Sequence, residues 1–457
     1  MISFEFFGIL VFSLIIYWLL PVQRLRNILL SASSLLLIWL LDHRSLIVVL
    51  ALTLFSYGMG HLIYRLKRNG WVHALGVLGI LTSLVFFKYL GLLTGISESL
   101  YIFLESLPHF SLHHLLLPLG ISYIAFKQIS YLTDIKWKLV KPGSFADFLL
   151  YNSLFTIFLA GPIERFERLN PQFQNPRIPF QRADFEIGSQ RIAIGLFKKL
   201  VIADWLGFFI AGVWQNPSEY HPGIALLAVF GYAFQIYFDF AGYSDIAIGS
   251  SRLFGLKVME NFARPYLATN ISQFWRRWHI SLSDFIRDYI FFPLSRISSS
   301  KIWLLGFVPI IAMALCGLWH GADSRYLVWG IWHGLGLSVY QIFQQWKRRR
   351  EQNIVQRLNA GFAFIAWPLT FMFVSLGWLS FRAFGFPMAR HIFFSFEGVL
   401  LTLISFLLLI VIGRGLPTFH LYISERIRWR PVFTLYLLLI CLICYSALNT
   451  GFIYAAF

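Results

Sequence analysis

Charged residues are scarce in this sequence. They make up 13% of its 457 residues, whereas a water-soluble chain of that length carries roughly a quarter to cover its surface. The deficit excludes an exterior that faces water everywhere. Acidic residues are the scarcer sign, 21 against 38 Lys and Arg, for a formal charge of +17. Such an excess in a soluble protein points to nucleic acid. Here the cations fall between apolar runs, at Arg24/Arg26, Arg65/Lys67/Arg68, Lys136/Lys138/Lys141 and Lys347 to Arg350, as they do in cytoplasmic loops of membrane proteins. No nucleic-acid partner is expected. Cysteine is nearly absent: Cys316, Cys441 and Cys444 all lie in apolar runs. Cys441-x-x-Cys444 has no second pair, no nearby histidine and no βαβ context, so it reads as small helix residues rather than a redox or zinc motif. A Gly-x-Ser-x-Gly elbow, a Walker loop and a Rossmann fingerprint are all missing, which leaves serine hydrolysis and nucleotide hydrolysis without support. The start lacks a basic n-region and a cleavage site, so its apolar run is expected to stay as a span. No internal repeat is evident, which weakens a transporter built on duplicated halves.

What is abundant is apolar: 58% of the chain, with 48 Phe and 16 Trp. Runs long enough to span a bilayer occur at Ile2 to Leu20, Leu46 to Tyr64, Val72 to Leu93, Ile192 to Val213, Ile224 to Gly249, Ile302 to Leu318, Tyr326 to Phe343, Phe362 to Phe381, Ile392 to Ile412 and Val432 to Phe452. Shorter or broken runs at Ile28 to Leu41, Leu115 to Leu132 and Phe148 to Ala160 suit half-membrane pieces shielded by other protein. The expectation is an all-α, multi-pass membrane protein of about ten to thirteen embedded helices, forming one domain over 1–457 with a motif-bearing core near 118–345 and flanks at 1–95 and 360–457. If Arg24/Arg26 and Arg65 to Arg68 are cytoplasmic, the N-terminus and the Gly95 to His114 loop lie outside. In Glu260 to Arg296, Phe274, Trp278, Leu282, Phe285 and Tyr289 recur at helical spacing, which predicts an amphipathic helix along the interface or over a cavity.

Twelve histidines occur, and His279, His320 and His333 stand apart because their surroundings are apolar and aromatic. His320 ends an apolar run and precedes Gly321, where the backbone is free to turn sharply. A histidine there is either a core residue bonded to a carbonyl or a general base that takes a proton from a hydroxyl. His333 sits four residues after Trp329, and Gly330-x-x-x-Gly334 lets another helix come close; a structural or supporting role is expected for it. Zinc at these three histidines is a further option, though the spacings carry no zinc signature, and no metal is assigned. Asp239 and Asp245 lie in or at the end of an apolar run, where carboxylates need partners or water. Arg252 and the Arg276/Arg277 pair are the expected partners.

These residues belong to four stretches that resemble the membrane-bound O-acyltransferase family: Pro118 to Tyr131, Ala160 to Arg165, Gln235 to Ser283 with its Asp239-to-Asp245, Glu260-to-Phe262 and Phe274-to-Ser283 segments, and Leu318-Trp-His-Gly321 with Trp329-to-Gly334. The resemblance is closest to the bacterial branch that acetylates alginate or transfers D-alanine to teichoic acid. It implies a ring of membrane helices around a thinned centre with a central funnel, His320 as the catalytic histidine and His279 as the second. It makes Trp319, Arg276, Arg277, Asp288, Asp239 and His333 candidates for the funnel wall. It also implies no bound cofactor and an acyl donor as co-substrate, either acetyl-coenzyme A or a carrier-protein thioester, on the cytoplasmic side. The acceptor would be an envelope polysaccharide, reached across the cell's inner membrane with periplasmic or extracellular partner proteins. Acetyl transfer is the first expectation and D-alanyl transfer the second; a transporter or flippase and a catalytically dead scaffold are the readings from other classes.

Overall fold

A helix in water buries its apolar side, but the first helix of this chain, α1 (Phe4–Leu19), does the reverse. Phe12, Ile15 and Leu19 are exposed while Ser13 and Tyr17 are buried. The Ser13 hydroxyl donates to Ser33 on α2 (Gln23–Leu41) at 2.7 Å. Polar groups turned inward and apolar ones outward suit a hydrocarbon surround, where side-chain hydroxyls find partners only inside the protein. The same pattern recurs in α3 (His43–Arg65), which buries Thr53 and Ser56 and exposes Leu54 and Ile47.

The computed structural model describes residues 3–66, 69–96, 118–297, 302–321, 323–350, 352–382, 385–410 and 437–441, and every regular element among them is helical. The chain divides into two compact units, Met1–Ile192 with Ile246–Met259, and Ala193–Asp245 with Glu260–Phe457. The motif stretch 118–345 contributes to both. Among the described residues four helices are long and apolar enough to cross a membrane: Gln23–Leu41, His43–Arg65, Gly70–Tyr89 and Pro222–Leu253. Phe4–Leu19, Gly306–His320 and Ile365–Phe381 are shorter apolar helices, and Gly385–Phe393 with Phe396–Ile410 form a pair bent by 92°. Ile28 to Leu41, expected as a half-span, is therefore part of a full-length helix. The expected runs Gly95 to His114 and Val432 to Phe452 lie outside the described residues, save for 95–96 and 437–441.

The first unit continues through α4 (Gly70–Ile96), α5 (Ile121–Lys136), α6 (Phe145–Ser153), α7 (Phe166–Phe173) and most of α8 (Arg182–Leu196). Residues 121–135 of α5 are all buried, so the segment Leu115 to Leu132 is indeed shielded by protein where it is described. Two of the motif stretches meet here for structural reasons. The Lys127 ammonium donates to the Tyr151 carbonyl (2.5 Å), and the Tyr151 hydroxyl donates to the Glu164 carbonyl (2.8 Å). The Glu164 carboxylate is fully buried and accepts from the Met259 N–H and from Arg168. Burial pushes its carboxyl above the ordinary value, against the pull of Arg168. Arg26, read above as a loop cation, is instead buried: its guanidinium donates to the Leu20 and Ile178 carbonyls and lies over the Tyr17 and Trp18 rings.

In the second unit the expected span Ile192 to Val213 is interrupted by a π-helical segment, Phe197–Ala203, before α9 (Asp204–Gln215). Next comes α10 (Pro222–Leu253), whose last residues belong to the first unit. The predicted amphipathic helix is not continuous. It is α11 (Ile271–Trp275), α12 (Ile280–Ile286), a second π-helical segment Arg287–Phe291 and α13 (Phe292–Ile297). The break falls at His279, whose φ of 42° is left-handed. Long helices α14 (Ile302–His320), α15 (Ser324–Arg348) and α16 (Gln352–Phe381) follow, then α17 (Gly385–Phe393) and α18 (Phe396–Ile410). α14 and α15 run antiparallel in backbone contact. A Cβ on Gly317 would collide with the Tyr326 carbonyl, one on Gly330 with the Met313 carbonyl and one on Gly334 with the Ile310 Cα. The close approach expected of Gly330-x-x-x-Gly334 is thus present, and its partner is α14. Replacing Gly330 by Ala should force the two helices apart and destabilise the protein by about 1–3 kcal/mol, read as a lower unfolding temperature in detergent. Gly8→Ala, where nothing lies within 4 Å, should leave that temperature unchanged.

Candidate active site

The α14–α15 contact positions two of the three singled-out histidines. His320 is the last residue of α14, and His333 lies on α15, one turn beyond Trp329. Both are buried, His320 to 3% and His333 to 0% exposure. The His320 ring packs edge-on against Trp319 (4.7 Å), Trp329 (5.2 Å) and Phe381 (5.1 Å). Trp329 in turn touches His333 (5.1 Å) and Trp378 (5.8 Å), and Trp378 touches Trp278, the residue before His279. An aromatic chain therefore runs from His320 to the neighbour of His279. Gly321 follows directly on the last residue of α14, and its φ is not positive. It makes room for a ring: a Cβ would lie 2.6 Å from Tyr326 Cε2.

His279 is held by a network the sequence did not disclose. The Ser281 N–H donates to Asn261 Oδ1 (3.3 Å), which identifies that atom as the amide oxygen. His279 Nδ1 faces the same oxygen at 3.1 Å, so Nδ1 carries the proton and Nε2 carries the lone pair. Asn261 Nδ2 donates to Ser244 on α10 (3.2 Å). Backbone bonds from Ile280 to the Asn261 carbonyl and from Ala263 to the Arg277 carbonyl pin the two segments together. These bonds hold His279 at its left-handed φ, and they explain why the helix breaks there. Burial pushes the His279 imidazole down to about 3.

A cavity of about 390 Å³ is walled by α14, α15 and the stretch from Ser272 to Phe292, and none of the three histidines is among its lining residues. On α14 it is lined by Pro309, Ala312, Met313 and Cys316, and on α15 by Leu337, Tyr340, Gln341 and Gln344. Those spacings mark one face of each helix, and the next position on that face is His320 on α14 and His333 on α15. Trp275, Leu282, Phe291 and Phe292 close the other side, with Arg276, Asp284 and Arg287 supplying charge. Arg276, expected at a funnel wall, lines this cavity; Arg277, Asp288 and Asp239 are not among its lining residues. Asp288 pairs with Arg287 at 2.8 Å, and Asp284 with the same guanidinium at 2.6 Å. Sequence reasoning missed Arg287, Asp284 and Cys316, although Cys316 lies one helical turn before His320.

The aspartates of α10 have partners other than those expected. Lys199, in the first π-helical segment, bridges Asp239 (2.8 Å) and Asp204 (2.6 Å), and Lys198 holds Asp245 (2.6 Å). Arg252 pairs with Asp184. The sequence had placed Lys198 and Lys199 in a span without assigning them a partner. Among the described residues no three His, Cys, Asp or Glu side chains group to hold a metal ion.

His320 is buried at the end of α14, in a chain whose described elements are all helical and turn apolar side chains outward. The family model of the membrane-bound O-acyltransferases matches residues 57–378, and the chain belongs to that family: it is a multi-pass membrane O-acyltransferase. It is 35% identical over 373 residues to the "Probable alginate O-acetylase AlgI" of Pseudomonas syringae pv. tomato, covering 79% of this chain and 68% of the relative. It is 32% identical to the peptidoglycan O-acetyltransferase of Helicobacter pylori, with 72% and 66% covered. Identity to the teichoic acid D-alanyltransferase of Bacillus subtilis is 30%, with 78% and 90% covered. Family membership sets aside the transporter reading.

The His279 environment has a measurable consequence. Because the folded imidazole resists protonation while the unfolded one titrates near 6.5, the unfolded chain binds more protons below that value. The His279 contribution to stability is then complete above about pH 6.5 and is lost as pH falls toward 3. Unfolding temperatures measured between about pH 7 and pH 4 should fall more steeply for the native chain than for His279→Gln.

Proposed function

We propose that this protein transfers an acetyl group from a thioester donor on the cytoplasmic side to a hydroxyl of an envelope polysaccharide, with His320 as the general base. The observation that carries the reading is the position of His320: buried, and next in line on the α14 face that walls the cavity. Supporting it are the relatives named for alginate and peptidoglycan O-acetylation, at 35% and 32% identity. The apolar cavity suits the uncharged arm of a thioester donor, and Arg276 and Arg287 suit its phosphate-bearing end. No resident cofactor is called for by this chemistry.

In the proposed reaction the His320 imidazole takes the proton of the acceptor hydroxyl as its oxygen attacks the thioester carbonyl carbon. Collapse of the tetrahedral intermediate breaks the C–S bond, and the imidazolium returns the proton to the leaving thiolate. His279 orients the acceptor through Nε2, the lone-pair nitrogen left by its bond to Asn261. Trp319 packs directly on the catalytic ring, while Arg277, Asp288 and Asp239 lie outside the cavity lining and take no step in this reaction. The protein would sit in the inner membrane and work with extracytoplasmic partners that carry or align the polymer.

D-alanyl transfer from a carrier-protein thioester is the second reading. It is favoured by the fuller coverage of the D-alanyltransferase relative, 90% of whose length aligns. Mild-base release of esters from the envelope of cells with and without this chain separates the two, yielding acetate in the first case and D-alanine in the second. His320→Ala should lower either transfer by about 10²–10⁴-fold while the variant inserts and unfolds like the native chain. Normal transfer by that variant would sink the assignment.

A further inference from the structure

Four indole N–H groups in the second unit have acceptors within it. Trp214 donates to the Ala228 carbonyl, Trp332 to Phe373, Trp367 to Tyr266 and Trp378 to the Tyr266 hydroxyl, at 2.7–3.2 Å. Trp275 and Trp329 are exceptions. They are 8% and 1% exposed, and neither Nε1 has a hydrogen-bond partner among the described residues. Trp205 shares that lack, but its ring contacts are with Phe208 and Phe209 on its own helix. Trp275 and Trp329 instead touch each other at 5.7 Å, and both pack on His333. His333 is fully buried, with neither ring nitrogen bonded among the described residues.

Each buried donor left unpaired costs about 1–3 kcal/mol, so several at one place call for a partner that the protein itself does not supply. An indole can only donate, which makes that partner an acceptor oxygen. Two further facts narrow it. Trp329 lies against the His320 ring at 5.2 Å, and Trp275 is part of the cavity wall. The two rings therefore link the cavity wall at Trp275 to the His320 ring.

We propose that the indole N–H groups of Trp329 and Trp275 receive the carbonyl oxygen of the acyl thioester and hold its negative charge in the transition state. This rests on the reading of His320 as base to the attacking hydroxyl. As the new C–O bond forms, the carbonyl π electrons move onto that oxygen. As the C–S bond breaks, they return, the thiolate leaves, and it takes the proton from the His320 imidazolium. Buried donors at the place where charge develops act more strongly on the transition state than on the bound thioester. His333 supplies one further N–H in either tautomer and sets the tilt of both indoles by packing between them.

The test replaces each tryptophan in turn by β-(3-benzothienyl)alanine, which keeps the ring shape and exchanges the N–H for sulfur. Membranes bearing the full chain are supplied with radiolabelled acetyl-coenzyme A and, in parallel, with a D-alanyl carrier-protein thioester. The donor giving the higher native rate is used for the variants. The expected result is a rate at least about 100-fold lower for each variant, with an unfolding temperature equal to or above that of the native chain, because a buried unpaired donor has been removed. A rate within about threefold of native, too small a loss for an oxyanion donor, overturns the proposal. So does a lost rate that comes with a lowered unfolding temperature, since the indoles would then be structural. His320→Ala runs in the same assay: its retention of activity defeats the base assignment, whereas an inactive His320→Ala beside active benzothienyl variants defeats the oxyanion assignment alone.

Discussion

The candidate site follows from the backbone contact between α14 and α15. Gly317, Gly330 and Gly334 let the two helices meet with no side chain between them. Helices in hydrocarbon gain nothing from hiding apolar surface, so close van der Waals approach at small residues takes the place of the hydrophobic effect. The approach turns His320 and the Trp329–His333 turn toward one another and leaves the faces below them to wall a cavity. A wider spacing would separate His320 from Trp329 and open the site to lipid.

Buried charge recurs in both units. Lys199 between Asp239 and Asp204, and Glu164 beneath the Met259 N–H, are groups that a soluble core seldom carries. In this chain they pair inside because the alternative is hydrocarbon. Lys199 sits in a π-helical segment, and the second such segment begins at Arg287, which holds Asp284 and Asp288. In each case the wider turn accompanies a cation with two carboxylate partners, consistent with the tendency of π-bulges to appear at functional positions.

His279 shows how a position can be set by distant residues. Its left-handed backbone costs energy, and it persists because Asn261 bonds its ring, Ser281 and, through its carbonyl, Ile280. The same amide decides which imidazole nitrogen is basic. A neutral tautomer with a defined lone pair is what a hydroxyl acceptor requires, so Asn261 links the break between α11 and α12 to the proposed chemistry.

Much of this was legible in the chain itself. Scarce charge and long apolar runs mean a membrane protein, because so few ionisable groups leave no other surround. The Trp-His-Gly stretch at the end of an apolar run singled out His320, and Gly330-x-x-x-Gly334 announced a close helix contact. Other readings failed where partners are remote in sequence. The even spacing of Phe274, Trp278, Leu282 and Phe285 suggested one amphipathic helix, since periodicity reports local pattern and not the Asn261 bonds that interrupt it. Arg26 looked like a loop cation, because nothing local reveals the Ile178 carbonyl it serves. Arginines were the expected partners of Asp239, while the fold brings Lys199 to it across a helix–helix contact. The surrounding solvent and the class of protein thus follow from the order of residues along the chain, which also suggested the histidine proposed as base. Which nitrogen of His279 is basic, which charges are paired, and which indoles keep protons to give were settled by folding, because each is a matter of distance between segments far apart in the chain.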